Sequence, residues 1–149
     1  MPISISPMMM RQIIMDHYEH PHNKRTPTDD RYLKINMNSE SCIDNIDVFL
    51  LVENGIVKDC CFDGIGCTIS TASTSIMSEL VIGKTIEEAK EIIDNYKKMI
   101  SEDKFDEELL DEAIVFMNTS KQASRIKCAT IGWNGLNELL EESKGEKHE

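Results

Sequence analysis

Three short stretches of the sequence place thiols where metal or sulfur chemistry could take place. A Cys-x-Asp pair, Cys42 and Asp44, comes just before a long apolar segment. Cys67 follows a Gly-x-Gly turn, and Cys128 lies in the segment SRIKCATIGW. Residues i and i+2 of an extended chain project from the same face, so Cys42 and Asp44 could converge on one ion. Taken alone, each thiol also fits an ordinary role as a loop cysteine or a small core residue.

Cys67 and Cys128 are both predicted to lie at or near a helix N-terminus. Unpaired backbone N–H groups and the positive end of the helix dipole favour a thiolate over a thiol at such a position. Gly64 and Gly66 would allow a sharp strand-to-helix turn before Cys67. Lys127 adds positive charge beside Cys128. We expect the serines and threonines after Cys67 to keep its surface small and polar.

The three thiols and the carboxylate together form a set of four ligands. Four ligands of mixed thiolate and oxygen suit tetrahedral zinc, and three thiolates also suit an iron–sulfur cluster. The carboxylate of Asp44 is the weak member of this set. It could yield its position to an incoming sulfur, which a closed site of four thiolates would resist.

Composition excludes several other classes of function. The chain has 149 residues and a formal net charge of −11, which argues against nucleic acid and anionic membranes as partners, because both are bound through clustered lysine and arginine. No apolar stretch is long enough to span a membrane, and the first residues lack the pattern of a secretory signal. We therefore expect a cytoplasmic protein whose five cysteines are thiols or metal ligands.

The elements that must position the ligands follow from hydrophobic periodicity. A first helix is predicted from Met8 to Glu19, and strands are predicted for YLKINM, NIDVFLLVE and IVKDCCF. Asn54-Gly55 predicts a hairpin between the last two strands. Further helices are predicted for TISTASTSIMSELVIG, KTIEEAKEIIDNYKKMI with its capping box, DEELLDEAIVFMN and CATIGWNGLNELLEES. Strands followed by helices indicate an α+β domain over residues 1–140, with 141–149 as a disordered tail.

Several other groups are predicted to be structural. Cys60 and Cys61 would face opposite sides of a strand, so we expect one to pack in the core and the other to be exposed. The methionines at 8–10 indicate core packing or an exposed apolar helix face. Surface or capping roles are expected for three histidines, His17, His20 and His22.

Four segments, IIMDHYEHPHNKR, the Cys-x-Asp pair, GIGCTISTASTSIM and RIKCATIGW, resemble the NifU-like iron–sulfur assembly proteins (IscU and SufU). They occur in the family's order from about Met9 to Leu140. The long insertion between Cys67 and Cys128 marks the SufU type, as does Lys127, where the IscU branch usually has a histidine ligand. Ile43 departs from the family pattern, which has glycine; a β-branched residue would be strained there if that position needs a positive φ.

The resemblance implies a fold with a small three-stranded antiparallel sheet packed against about five helices, as in SufE and NifU-like proteins. It implies that the protein accepts persulfide sulfur from a SufS-like cysteine desulfurase and passes it to downstream assembly partners or apo-proteins. Zinc would be the resting metal, held by Cys42, Asp44, Cys67 and Cys128. Because a loop position gives access, Cys42 is the candidate sulfur acceptor.

Two alternatives to a zinc-dependent sulfurtransferase stay open at this point. The same three cysteines could hold a transient [2Fe–2S] cluster on a non-enzymatic scaffold that transfers the cluster to apo-proteins. The chain could also be a structural zinc module that only binds partners.

Overall fold

The computed structural model describes residues 6–38, 43–121 and 123–147. Within these ranges the strands are β1 (Leu33–Asn38), β2 (Asn45–Glu53) and β3 (Ile56–Ile65). The α-helices are α1 (Pro7–Glu19), α2 (Thr68–Val81), α3 (Ile86–Ile100), α4 (Glu107–Leu110) and α5 (Ala123–Lys147), and a 3₁₀ segment spans Asp111–Lys121. The predicted α+β class, with a three-stranded sheet and five helices, is confirmed.

The sheet is antiparallel throughout, in the order β1-β2-β3. The predicted hairpin joins β2 to β3, and both turn residues have positive φ, 54° at Asn54 and 75° at Gly55. β2 buries Ile46, Val48 and Leu50, whose spacing of two places them on the same face of the sheet. This face packs against the helices, because β2 contacts α5 and β3 contacts α2.

Helix α2 lies at the centre of the helical layer, in contact with α1, α3, α5 and the 3₁₀ segment. Its serines and threonines from Ser70 to Ser78 are buried, so the expectation that they form a polar surface is wrong. Small residues suit this helix because neighbouring elements pack against it on several sides. Ser73, for example, accepts a hydrogen bond from Trp133 Nε1 at 2.8 Å and donates to the carbonyl oxygen of Ala129 at 2.6 Å.

The N-terminal segment is fastened to α2 by histidine contacts. His17 is 2% exposed, with Nδ1 2.8 Å from Ser75 Oγ and Nε2 3.1 Å from Glu112 Oε1. The backbone N–H of His22 donates to the same Ser75 oxygen. A surface or capping role for His17 is therefore wrong, because its ring joins α1, α2 and the 3₁₀ segment.

The adjacent cysteines of β3 are both buried, so the expectation that one of them is exposed is wrong. Cys60 belongs to the main core on the helical side of the sheet. Cys61 points to the opposite face, where the loop after α1 approaches the edge of β3. Within this loop Arg25 pairs with Asp59, and its backbone N–H donates to the carbonyl oxygen of Phe62 at 2.8 Å.

Two helix boundaries differ from the sequence-based prediction. The segment DEELLDEAIVFMN forms the single turn α4 and then a 3₁₀ segment, and Asp111 at the junction has a φ of 45°. The last helix begins at Ala123, so Cys128 lies in its second turn and not at its start. This helix continues to Lys147 through the predicted boundary at residue 140; disorder of 141–149 stays a prediction.

No helix in the described ranges combines the length and apolar character that are needed to cross a membrane.

Candidate metal centre

Three of the four predicted ligands converge where β2, α2 and α5 meet. Asp44 immediately precedes β2, Cys67 caps the N-terminus of α2, and Cys128 lies one turn into α5. One carboxylate oxygen and the two sulfurs all lie within 4.8 Å of one another. Cys42, the fourth predicted ligand, lies outside the described residues, two positions before Asp44 in the chain. The convergence therefore joins residues that are up to 84 positions apart (128 − 44) in the sequence.

The turn between β3 and α2 depends on two glycines. Gly64 has a φ of 121°, and a Cβ added there would lie 2.3 Å from the carbonyl oxygen of Asn45 on the paired strand. A Cβ on Gly66 would lie 2.6 Å from Ser70 Oγ. Side chains at these positions would therefore push the turn away from β2 or from α2. The prediction that Gly64 and Gly66 present Cys67 at the start of a helix is confirmed.

Asp44 is held by hydrogen bonds that orient its carboxylate. Its side chain is 1% exposed, and its Oδ1 accepts the backbone N–H of Cys67 at 2.9 Å and the hydroxyl of Ser70 at 2.8 Å. Charge-assisted hydrogen bonds of this kind favour the ionised carboxylate and fix its direction. The carboxylate is thus tied to the same helix end that carries the Cys67 thiol.

The Cys67 sulfur acts as the N-cap acceptor of α2. It lies 3.4 Å from the backbone nitrogen of Ser70 and 3.4 Å from the Ser70 hydroxyl oxygen. The sulfur thereby accepts from one of the orphan N–H groups at the start of the helix. Ser70 therefore contacts both Asp44 and Cys67.

Ser70 was not singled out as a site residue from the sequence, where it is one of several small polar residues. The signal that could identify Ser70 from the sequence is its position relative to Cys67. It comes three residues after the N-cap, and the side chain and amide at that position point back toward the capping residue. Only the contact with Asp44 Oδ1 could not be read from local spacing, because Asp44 is 26 positions away.

Electrostatics at the centre favour a bound cation. Burial raises the pKa of the Cys128 thiol, and the neighbouring Cys67 sulfur and Asp44 carboxylate raise it further. Two thiols and a carboxylate within 4.8 Å cannot all carry negative charge at low cost unless a positive charge offsets their repulsion. A coordinated divalent cation supplies that charge and deprotonates its thiol ligands. The donor set of sulfur and carboxylate oxygen therefore fits zinc.

Two exposed isoleucines lie close in the chain to ligands of the centre. Ile43, beside Asp44, is 67% exposed, and Ile65, at the end of β3, is 66% exposed. Exposed apolar side chains thus lie within two residues of Asp44 and of Cys67 in the chain.

The sequence also matches a family model for the NifU-like N-terminal domain, over residues 9–133. The chain belongs to this family. The NifU-like chain is 35% identical to the zinc-dependent sulfurtransferase SufU of Bacillus subtilis over 138 residues, which cover 92% of each protein. It is 36% identical to the iron–sulfur cluster assembly scaffold protein IscU of Thermotoga maritima over 133 residues, 89% of this chain and 93% of that protein.

A solved structure supports the same grouping. The crystal structure of FiSufU from Fervidobacterium islandicum AW-1, proposed as an iron–sulfur cluster assembly scaffold for the SUF system, superposes on the NifU-like chain with a TM-score of 0.73. The two sequences are 33% identical, and the match covers 84% of this chain and 91% of FiSufU. The resemblance to the NifU-like and SufU proteins that the sequence motifs suggested is therefore confirmed.

Proposed function

We propose that this protein is a sulfur-transfer protein of the SufU type, which accepts persulfide sulfur from a cysteine desulfurase at a zinc centre. The observation that carries the proposal is the convergence of Asp44, Cys67 and Cys128 within 4.8 Å. The 35% sequence identity with a zinc-dependent sulfurtransferase, in a match that covers 92% of both chains, supports it. The proposal assigns the protein to the cytoplasm, where thiols stay reduced.

The residues proposed to hold zinc are Cys42, Asp44, Cys67 and Cys128. When bound, zinc would keep the cysteines as thiolates and hold them in one place. Asp44 is the proposed ligand that gives way when a sulfur donor approaches. The hydrogen bonds that its Oδ1 accepts from the Ser70 hydroxyl and the Cys67 amide would hold the carboxylate beside the centre after it leaves the metal.

The proposed transfer conserves atoms and electrons. The Cys42 thiolate attacks the terminal sulfur of the donor's persulfide, and a new S–S bond forms at Cys42 while the donor's S–S bond breaks. The terminal sulfur moves with its proton, and the donor cysteine leaves as a thiolate. No external oxidant or reductant is needed. The exposed Ile43 next to Asp44 offers apolar surface for the donor to approach.

A reconstituted assay tests this function. The zinc-loaded protein is mixed anaerobically with a cysteine desulfurase and cysteine, and alanine formation and persulfide on each cysteine are measured by chromatography and mass spectrometry. We expect faster turnover and one added sulfur on Cys42, with both effects lost in Cys42→Ala. Cys61→Ala is the matched control, because Cys61 is buried on the opposite face of the sheet. Normal sulfur uptake by Cys42→Ala would contradict the assignment of the acceptor.

A scaffold function is the second candidate, favoured by the 36% identity with an IscU scaffold. It predicts that the protein, reconstituted anaerobically with iron and sulfide, forms a [2Fe–2S] cluster that passes to an apo-ferredoxin. Elemental analysis of protein purified without added metal, followed by this reconstitution, separates the two functions. Tight zinc with enhanced desulfurase turnover favours sulfur transfer, and a transferable cluster favours the scaffold.

A further inference from the structure

The four arginines of the chain fall into two pairs with different surroundings. Arg25 and Arg31 both form ion pairs with acidic side chains. Arg11 on α1 and Arg125 on α5 make no ion pair or hydrogen bond with any residue in the described ranges. In a protein with 27 acidic residues against 16 basic ones, two arginines that have no acidic partner among the described residues are available for a ligand.

Arg11 and Arg125 line the same cavity. This cavity, of about 530 Å³, lies between α1, the first turn of α2, the 3₁₀ segment and the start of α5. Its walls are mainly apolar, with Met10, Ile14 and Ile69 among the lining residues. No described lining residue is acidic. The volume falls within the range of sites for small organic molecules, about 300–1,000 Å³.

We propose that this Arg11–Arg125 cavity binds a small amphipathic organic anion, an apolar chain that ends in a carboxylate. The apolar walls would take the chain, and the guanidinium groups would take the carboxylate, whose geometry matches their paired N–H donors. Charge complementarity selects an anion, because both charged groups among the described lining residues are cationic. A neutral ligand with the same chain would leave both arginines unpaired.

The cavity adjoins the metal centre along the chain. Thr68 and Ile69, which line it, directly follow Cys67, and Arg125 precedes Cys128 by three residues, one turn of α5. The proposal does not depend on sulfur transfer, since it rests on the cavity and its arginines alone. Its failure would leave the assignment of the metal centre unchanged. Failure of the proposed sulfur transfer would likewise leave the cavity proposal unchanged.

The probe is dansylated undecanoic acid, an apolar chain with a carboxylate and a fluorophore, titrated into the zinc-loaded full-length protein. We expect saturable binding with one probe per protein. Arg11→Gln and Arg125→Gln should each weaken binding by about fivefold, because each removes one charge-assisted contact. Added salt should also weaken binding. Arg31→Gln is the matched control, since Arg31 is exposed and lies outside the cavity.

Two further comparisons separate this site from nonspecific adsorption. Ile14→Trp should fill the cavity and abolish binding without changing any charge, while circular dichroism confirms that the variant is folded. The primary amide of the same probe should bind at least fivefold more weakly than the acid. Equal binding of acid and amide, unchanged binding in the Arg11→Gln/Arg125→Gln double variant, or no saturable binding of the acid would overturn the proposal.

Discussion

Two pairs of cysteines in the described part of the chain lie in different chemical surroundings. Cys60 and Cys61 on β3 are fully buried, while Cys128 is 8% exposed and Cys67 is half-buried. Burial raises the pKa of Cys60 and Cys128, and it raises that of Cys61 to about 11. Burial therefore does not distinguish Cys128 from the two strand thiols.

The two pairs differ in the side chains that surround each sulfur. The strand thiols are adjacent on one element, so they face opposite sides of the sheet and cannot act together. Cys67 and Cys128 come from two helices, and a carboxylate from the start of β2 joins them. The candidate metal centre forms because three separate elements bring one donor each to the same place, which two neighbours on one strand cannot do.

The largest effect is expected from removing a thiol of the centre. Cys67→Ser should lose stoichiometric zinc, with a fall in affinity beyond the roughly 10- to 100-fold that the loss of an outer-sphere partner causes. Cys61→Ser should keep its zinc, because Cys61 lies outside the centre. Metal content after gel filtration and competition with a chromogenic chelator measure both. If Cys67→Ser kept one zinc ion per protein, Cys67 would not be a zinc ligand, and the two pairs of thiols would not differ in this respect.

Removing the metal should lower the stability of the whole domain. A ligand present at about 1,000 times its dissociation constant stabilises the native state by about 4 kcal/mol, which corresponds to roughly 10 °C in Tm for a chain of this size. Calorimetry before and after complete chelation measures this shift. An unchanged Tm would mean that the centre is not coupled to folding.

Ser70→Ala tests whether the contacts of Ser70 orient the ligands. We expect zinc affinity to fall by roughly 10-fold, because an outer hydrogen-bond partner is lost. Ser73→Ala is the matched control: it removes a buried hydroxyl of the same helix that contacts Trp133 and not the centre. It should lower the free energy of unfolding by about 1–3 kcal/mol and leave zinc affinity unchanged.

A double variant distinguishes orientation of the carboxylate from a general effect on the helix. If Ser70 acts through Asp44, Ser70→Ala should cost little further zinc affinity in an Asp44→Ala background. Fully additive losses would show that Ser70 acts by another route.

The last expected effect concerns the strand thiols and appears only at high pH. Because the pKa of Cys61 is about 11 in the folded protein and about 9 when unfolded, the unfolded state loses this proton first as pH rises. The contribution of Cys61 to stability is thus fully present below pH about 9 and falls between pH about 9 and about 11. Urea unfolding across this range should show a shallower decline in Cys61→Ala than in the parent protein. Parallel curves would mean that the thiol is not buried as described.

Local signals predicted much of this fold. The Asn54-Gly55 hairpin and the capping box of α3 depend on a few neighbouring residues, and the structure contains both. The glycine turn before Cys67 is of the same kind. In each case the information lies within one turn of chain, so sequence spacing was sufficient.

The features that were missed depend on distant partners. His17 was expected at the surface, but Ser75 and Glu112, 58 and 95 positions away, enclose it. The early start of α5 placed Cys128 inside a helix, and no cap signal in the sequence marked that boundary. The contact of Ser70 with Asp44 likewise joins residues that only the folded chain brings together. Tertiary packing determines these positions, and no local pattern encodes it.

The helix cap made by Cys67 has a practical consequence. Because its sulfur accepts from the Ser70 amide, any change in the charge or partner of that sulfur alters the field at this N–H group. The Ser70 amide is therefore a natural spectroscopic reporter of the centre. Its proton and nitrogen chemical shifts should move with metal loading or with sulfur chemistry at Cys67, so that a single backbone resonance can follow the state of the site in real time.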